Sequence, residues 1–450
     1  MSRRVVVTGL GTVTSIGHDT PTFWESCLSG KTNVATIPDS WRRYADHSST
    51  VWSPLPSIDY EARSLHRMDL MQTDPVATLA LFAAVEAVAD AGLEVEATTG
   101  RQLRLVEVGP DRVGVAMGTG LGGTLSIVST VFGHTVARPR AALAALAADM
   151  DDSEAVAAVL DDLDGAARVS PLAVAMIMPN SPASAISIKF STTGPSNTYT
   201  SACAAGTAAI GHAFESIRSG RSDIVLAGGS ESMYDPYGTA FRSFDGARTL
   251  ASADVAPDQI NRPFDRDRSG FLFSEGGAAV LVLEELGHAR RRGVPIVAEI
   301  AGFAETSDAH NPVATAPDGR QIERAFREAV AAAGLEPTDI DYVNAHGTGT
   351  ILNDDVESAM LERVVGKGPA INSTKSLLGH TLGASGAIEA VVMALSLRDQ
   401  ATHACSNLES PIRDLSFVIE AGPRQIDAAL SESFAFGGHN AALVMTAIRN

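Results

Sequence analysis

Cysteine is scarce in this chain of 450 residues; Cys27, Cys203 and Cys405 are its whole complement. Three thiols so far apart build neither a disulfide framework nor a zinc site, and they fit a reducing compartment. Basic residues are short too. Lys and Arg number 34 against 53 Asp and Glu, a formal net charge of −19. That balance argues against nucleic-acid binding through bulk charge, while a local basic patch can still meet an acidic partner. No uninterrupted apolar stretch is long enough to cross a bilayer. The opening "MSRRVVVTGLGTVTSIG" imitates a secretory leader with its two arginines. Its apolar run is short, broken by Gly9 and Gly11, and no small-residue cleavage site follows. These absences predict a soluble, cytoplasmic protein with no membrane or nucleic-acid partner.

What is present is an ordinary globular composition, 45% hydrophobic and 19% charged, on a chain long enough for a large fused pair of units. Short Val/Ile-rich runs alternate with Ala-rich helical ones, which predicts an α/β protein with sheets covered on both faces. "RRVVVTGLG", "DRVGVAMGTG", "SDIVLAGGSE" and "GGAAVLVLEEL" read as strands, and Pro75–Leu93 as a long helix stopped by Gly92. The pattern then begins again. "VPIVAEIAGFAETSD" echoes the first strand, and "AINSTKSLLGHTLGASGAIEAVVMAL" parallels "SNTYTSACAAGTAAIGHAFESI". A period of half a domain points to duplication, with halves 1–290 and 291–450. Packed face to face, such halves place Cys203 and His380 at corresponding helix starts. One stretch breaks the pattern: residues 136–168, rich in Ala and Asp, read as an inserted helical pair, with Ser153 as an N-cap.

Four stretches carry candidate chemistry. Cys203 lies in "TSACAAGTAAIG", where small neighbours leave room for a large substrate and a helix N-terminus favours thiolate. A free cysteine is more commonly a small buried hydrophobe, and this motif alone does not decide between the two. "NAHGTGT" puts His346 just after a strand, at the sheet edge where α/β proteins place their sites; a histidine satisfied by a tight turn is the alternative. "STKSLLGHTLGASG" offers Lys375 and His380, costly inside a protein unless paired. "SFAFGGHNAALV" sets Gly437 and Gly438 after Phe436, so that the Phe436 N–H can turn inward; a plain glycine turn is the alternative. Together they supply a nucleophile, two imidazoles, a cation and a backbone donor, the parts that acyl transfer needs.

With "SACAAG", "NAHGTGT", "TKSLLGH" and "SFAFGGHN" in this order, the chain resembles the elongating β-ketoacyl-acyl carrier protein synthases. The resemblance runs over nearly the whole length, broken mainly by the insertion. It implies a thiolase-like fold, two duplicated α/β halves in an αβαβα arrangement. It implies that Cys203 takes an acyl chain as a thioester, and that His346 and His380 stabilise the enolate left when a malonyl thioester loses CO₂. The N–H groups of Cys203 and Phe436 then form an oxyanion hole. Lys375 sets the electrostatics of His380, and Glu357 completes the polar network. Thr348 and Thr350 match positions that bind the phosphopantetheine arm, and Leu121, Ala173, Phe434 and Gly437 match substrate-binding positions. No metal or diffusible cofactor is implied, since the pantetheine arrives on the carrier. The partners implied are an acidic acyl carrier protein, met by Arg63, Arg67, Arg168 and Arg248 near the pocket mouth, and a second subunit, identical or a chain-length-factor-like paralogue.

Two departures stand out. Ala435 replaces the first glycine of the usual Gly-Phe-Gly-Gly turn, and its methyl is expected to stiffen the gate around Phe436. Leu172-Ala173 replaces two aromatic residues, which predicts either a reshaped acyl pocket or neutral repacking. Among rivals, a thiolase needs a second cysteine in its own glycine-rich motif, whereas Cys405 sits in "THACSN". Initiating synthases pair one histidine with asparagine. The catalytic half of a heterodimeric polyketide synthase remains open. "GTGLGG", Gly118–Gly123, matches a dinucleotide fingerprint, but no second strand ending in an acidic residue follows, which disfavours an NAD(P)-binding oxidoreductase.

Overall fold

The computed structural model describes residues 3–42, 46–98, 100–132 and 170–448. The insertion expected at 136–168, including its expected N-cap Ser153, and Arg168 lie outside them. Ten strands form one sheet: β1 (Val5–Val13), β2 (Val113–Gly118), β3 (Ser196–Tyr199), β4 (Ile224–Ser232), β5 (Gly276–Glu285), β6 (Ala298–Ser307), β7 (Tyr342–Asn344), β8 (Ala370–Asn372), β9 (Ala428–Ala435) and β10 (His439–Thr446). Their order across the sheet is 8-7-9-10-6-1-5-4-2-3. Outward from the centre, the first half runs 1-5-4-2-3 and the second 6-10-9-7-8, the same order with each number raised by five. Directions match as well. β2 is parallel to β3 and β4 while β5 is antiparallel to β4 and β1; β7 is parallel to β8 and β9 while β10 is antiparallel to β9 and β6. The halves meet where β1 pairs antiparallel with β6, Val5 opposite Ile300. The echo in the sequence is a duplication of topology.

Helices cover this sheet in layers. α1 (Pro75–Asp90) starts on Asp74, whose carboxylate accepts the Val76 N–H, and ends just before Gly92 in the left-handed region. Its alanine-rich inner face packs on β1, β4 and β5. α3 (Arg320–Ala332) covers β6 and β10 of the second half, and α4 (Ile351–Val364) packs beside it. Between the half-sheets lie α2 (Ala205–Arg218) and α5 (Ser385–Asp399). α2 packs on β2 and β4, α5 on β9 as well as on β4 and β5, and the two helices touch each other. This is the helix–sheet–helix–sheet–helix order expected of a thiolase-like fold.

The central pair can approach so closely because glycine sits at the crossing. A Cβ at Gly386 would lie 2.0 Å from the Thr207 hydroxyl and 2.8 Å from its nitrogen, and one at Gly206 would lie 2.8 Å from Ala387 N. α5 is buried on all sides from Ser385 to Leu397, which explains why its sequence, "SGAIEAVVMALSL", shows no amphipathic stripe.

Candidate active site

The starts of α2 and α5 fold alike. A 3₁₀ turn at Ala202–Ala204 feeds α2, and one at Leu382–Ala384 feeds α5. Both turns put a non-glycine residue in the left-handed region, Ala202 at φ +48° and Leu382 at φ +45°. Such a conformation costs roughly 1–2 kcal/mol per residue, which the surrounding packing must offset. The first turn points Cys203 at the second half of the molecule. Just ahead of the second, Gly379 (φ +76°) swings the chain so that His380 N–H bonds to Leu272 O and the ring faces Cys203. His346 stands two residues beyond the end of β7.

These elements bring the expected groups together. Cys203 Sγ lies 3.0 Å from His380 Nε2. The rings of His346 and His380 are 5.6 Å apart, centroid to centroid, and nearly perpendicular. The backbone N–H groups of Phe436 and of Cys203 itself lie near enough to the sulfur to favour its charged form. Cys203, His346, His380, Thr348, Thr350, Phe434, Ala435 and Phe436 line one cavity of about 180 Å³. The two threonine hydroxyls bond to each other at 2.9 Å along its wall.

Beneath the histidines the structure is polar and closed. Glu357 on α4 accepts the N–H groups of His346 (2.6 Å) and Gly347 (2.8 Å) and the amide of Asn353 (3.1 Å), fixing the His346 loop. Burial still pushes its carboxyl up to about 8. Lys375 is buried and ion-paired with Glu389 at 2.5 Å. Burial first, and then the Lys375 charge, hold both histidines well below the usual histidine range, so both are neutral at pH 7. Neutral imidazoles can each offer one N–H and one lone pair, which suits a site that stabilises an enolate rather than one that abstracts protons from carbon.

Several expectations need correction. The helix start does not leave Cys203 as thiolate. Burial pushes the thiol up to about 12, against the lowering pull of Lys375 and of the two N–H groups, because desolvation outweighs half a helix-dipole charge. Arg63 is not a docking residue. It is folded inward, over the Phe82 ring at 3.9 Å, donates to the Phe82 and His18 carbonyls and pairs with Glu86 at 3.1 Å. Arg67 and Arg248 are exposed, and Arg248 adjoins Thr249 of the cavity wall; the cluster expected at the mouth therefore does not include Arg63. Leu121, Ala173 and Gly437 are not among the lining residues of the Cys203 cavity. Ala173 lines a second cavity of about 460 Å³ with Tyr60, Leu125 and Met176. Leu121 turns its N–H to Glu231, and Gly437 donates to Pro312 O.

Glu231 also explains the failed dinucleotide fingerprint. Its buried carboxylate takes the N–H groups of Gly120 (2.6 Å), Leu121 (3.2 Å) and Gly383 (3.0 Å), the donors a phosphate would need. Sequence reasoning missed it, as it missed Glu432 and Ser385. Glu432 is fully buried and neither carboxyl oxygen has a partner among the described residues. Burial and the nearby Glu357 hold it well above the glutamate range. Ser385 Oγ lies 3.0 Å from His380 Nδ1. The only signal in the sequence for the two acids is the repeated "SES" at 230–232 and 431–433, on corresponding strands β4 and β9.

Comparison with known proteins places the chain in a family. Residues 2–289 match the family described as "Beta-ketoacyl synthase, N-terminal domain" and residues 297–409 its C-terminal domain. A protein of Synechocystis named "3-oxoacyl-[acyl-carrier-protein] synthase 2" is 33% identical over 98% of this chain and 97% of its own. Among solved structures, that of a type II polyketide acyl-carrier protein in complex with its ketosynthase, bound to the hexaketide, superposes with a TM-score of 0.80 at 29% identity, covering all of both chains. The ishigamide ketosynthase/chain length factor gives 0.79, again at 29% identity and full coverage. A chain that matches this family from end to end and sets a cysteine against two histidines at the meeting of its halves belongs to the β-ketoacyl synthases, the condensing acyltransferases.

Proposed function

We propose that Cys203 carries an acyl group and that the chain lengthens it by decarboxylative condensation with a malonyl group held on an acyl carrier protein. The observation that carries this reading is the 3.0 Å contact between Cys203 Sγ and His380 Nε2, with His346 beside it and two N–H groups near the sulfur. In the first step the sulfur attacks the acyl-carrier thioester. The pantetheine thiol leaves with the proton that Cys203 gives up. In the second step the malonyl thioester loses CO₂, and its electron pair becomes an enolate whose oxygen sits against His346 and His380. The enolate carbon attacks the Cys203 thioester, the N–H groups of Cys203 and Phe436 hold the oxyanion, and the 3-oxoacyl-carrier product departs as the sulfur regains a proton.

Other residues support these steps. Burial, reinforced by the Lys375 charge, keeps the imidazoles neutral. Glu357 positions His346, while Thr348, Thr350 and Phe434 guide the pantetheine arm and acyl chain. Residues 1–290 and 291–450 are the two duplicated halves. Leu121, Ala173 and Gly437 bear on the substrate only through a second subunit or a moving gate, and β3, at one end of the sheet, is the natural place for that subunit to pair. The subunit is a second copy or a chain-length-factor-like paralogue, as in the ishigamide pair. Carrier docking falls to Arg67 and Arg248.

Intact-mass measurement tests the reading. Incubation with acyl-carriers of graded chain length is expected to add one acyl mass at Cys203, and malonyl-carrier then to release CO₂ and a 3-oxoacyl-carrier. Absence of the adduct with every carrier tried overturns it. The products of the chain-length series separate fatty from polyketide elongation.

A further inference from the structure

On its way from β4 to β5 the chain passes over the loops of the other half. Residues 261–273 form no helix or strand, yet most of them are buried. Buried irregular backbone must satisfy its polar groups on whatever it crosses. Here Asn261 donates to the Lys375 and Ser376 carbonyls, and the Asp265 carboxylate accepts the Glu409 and Ser410 N–H groups. The tightest crossing is over the loop that follows His346. Gly270 N–H donates to Gly349 O at 3.1 Å, and a Cβ on Gly349 (φ +84°) would lie 2.8 Å from Gly270 O.

Arg268 is the charged member of this crossing, with a side chain only 4% exposed. Its Nη1 donates back to Asp265 O at 2.9 Å, within its own segment. Nε donates to Thr350 O at 3.4 Å, and Nη2 to Ile351 O at 3.0 Å and Asp355 Oδ1 at 2.8 Å. Asp354 closes the same grip: Oδ1 accepts Gly349 N–H at 3.2 Å, while Oδ2 accepts Phe264 N–H at 2.7 Å and lies 3.7 Å from Arg268 Nε. A rigid fork can hold two carbonyls and a carboxylate at once, which a single ammonium cannot. What it holds is the chain at Thr350. The Thr350 hydroxyl lies 2.9 Å from that of Thr348, Thr348 Oγ accepts the Thr350 N–H at 3.3 Å, and both residues line the Cys203 cavity.

We infer that Arg268 is a positioning residue: reaching over from the first half, it fixes the loop 348–350 and with it the two hydroxyls that meet the pantetheine arm. Its hydrogen bonds end on that loop, on α4 and on its own segment, not on Cys203 or the histidines. The arm is common to acyl-carrier and malonyl-carrier, and it runs from the reacting thioester out to the carrier. Contacts along it are made equally before and during the reaction. Loosening them therefore raises KM for both carriers and leaves kcat in place. A general weakening of the fold does the reverse, because it removes active enzyme and lowers the apparent kcat at unchanged KM.

This rests on the reading of Thr348 and Thr350 as the wall of the arm, and steady-state kinetics with each carrier varied in turn separate the two. Arg268→Lys keeps the charge and loses the fork. It is expected to raise KM for both carriers about tenfold, with kcat within about twofold of wild type. Asp355→Ala, at a position 53% exposed, frees one end of the fork. It is expected to raise both KM values about twofold to threefold, and it decides alone if Arg268→Lys does not fold. The double variant Thr348→Val, Thr350→Val is expected to raise both KM values by itself. Adding Arg268→Lys or Asp355→Ala to it should then change nothing further, since the hydroxyls they position are gone. KM values that rise with the valines but not with the Arg268 or Asp355 variants overturn the inference alone. So does a loss confined to kcat, or a full additional effect in the valine background. Wild-type KM values in the double valine variant overturn the reading of the threonines themselves.

Discussion

The turns that start α2 and α5 are copies whose side chains have diverged. Each is one 3₁₀ turn with a non-glycine residue at positive φ, each precedes a central helix, and each is followed two residues on by a glycine at the helix crossing. Cys203 stands at the middle of one and Gly383 at the middle of the other. The strands below diverge in the same way. Glu231 near the end of β4 spends its carboxylate on four donors, one of them the Gly383 N–H of the opposite turn. Glu432 on β9 has none among the described residues. A duplicated scaffold therefore presents one nucleophile from the first half and the imidazoles from the second. The carboxylate of the first half clamps the turn of the second, while its counterpart is left as a buried acid beside Glu357.

Removing the sulfur should separate the turns most sharply. Cys203→Ala is expected to lower 3-oxoacyl-carrier formation by about 10³-fold or more, measured by product mass, with the fold intact. Next comes the crossing. Gly386→Ala places a methyl against Thr207 and is expected to cost about 3 kcal/mol in denaturant unfolding; a midpoint equal to wild type would mean that the central helices do not cross as described.

The unequal acids give a pH-dependent test. Glu432 is held well above the ordinary glutamate value, so the folded state grips its proton more tightly than the unfolded chain does. Its contribution to stability is complete below the unfolded value and is lost as pH rises toward the folded one. Glu432→Gln removes that loss. It is expected to stabilise the protein by about 1 kcal/mol at pH 8 and to make little difference at pH 4, read from urea midpoints. Glu231→Gln is expected to destabilise at neutral pH, because an amide nitrogen would replace an oxygen that now accepts two of the four donors, although burial pushes the carboxyl itself up to about 7. The smallest effect is backbone relief. Ala202→Gly exchanges strain for glycine entropy and should differ from wild type by about 0.5 kcal/mol.

The alternation of strands and helices, the half-domain echo and the trio Cys203, His346 and His380 are legible because small residues and strand-to-helix switches are written locally; the order of strands across the sheet is not. What depended on burial was not. The thiolate expected at Cys203 followed from its neighbours in the chain, whereas its actual state follows from the desolvation imposed by a second half that begins nearly a hundred residues later. Arg63 looked like free surface charge, yet its partners Phe82, Glu86 and His18 arrive from a helix and a loop that sequence spacing does not connect to it. Ser385 reads as an ordinary small helix-start residue; only the closure of Thr381 and His380 around it sets its hydroxyl against the imidazole. Ala173 matches a pocket position only through the family resemblance, and a single chain places it in another cavity.

Helix α5 carries one more consequence. It is wrapped on every side from Ser385 to Leu397, and part of that wrapping is β4 and β5 of the other half. During synthesis, the first 290 residues emerge with an uncovered apolar sheet face and stay so until roughly another hundred have followed. A ribosome-bound first half is therefore a client for holdase chaperones, and a gene split near residue 290 yields active protein only when both pieces are made in the same cell at the same time.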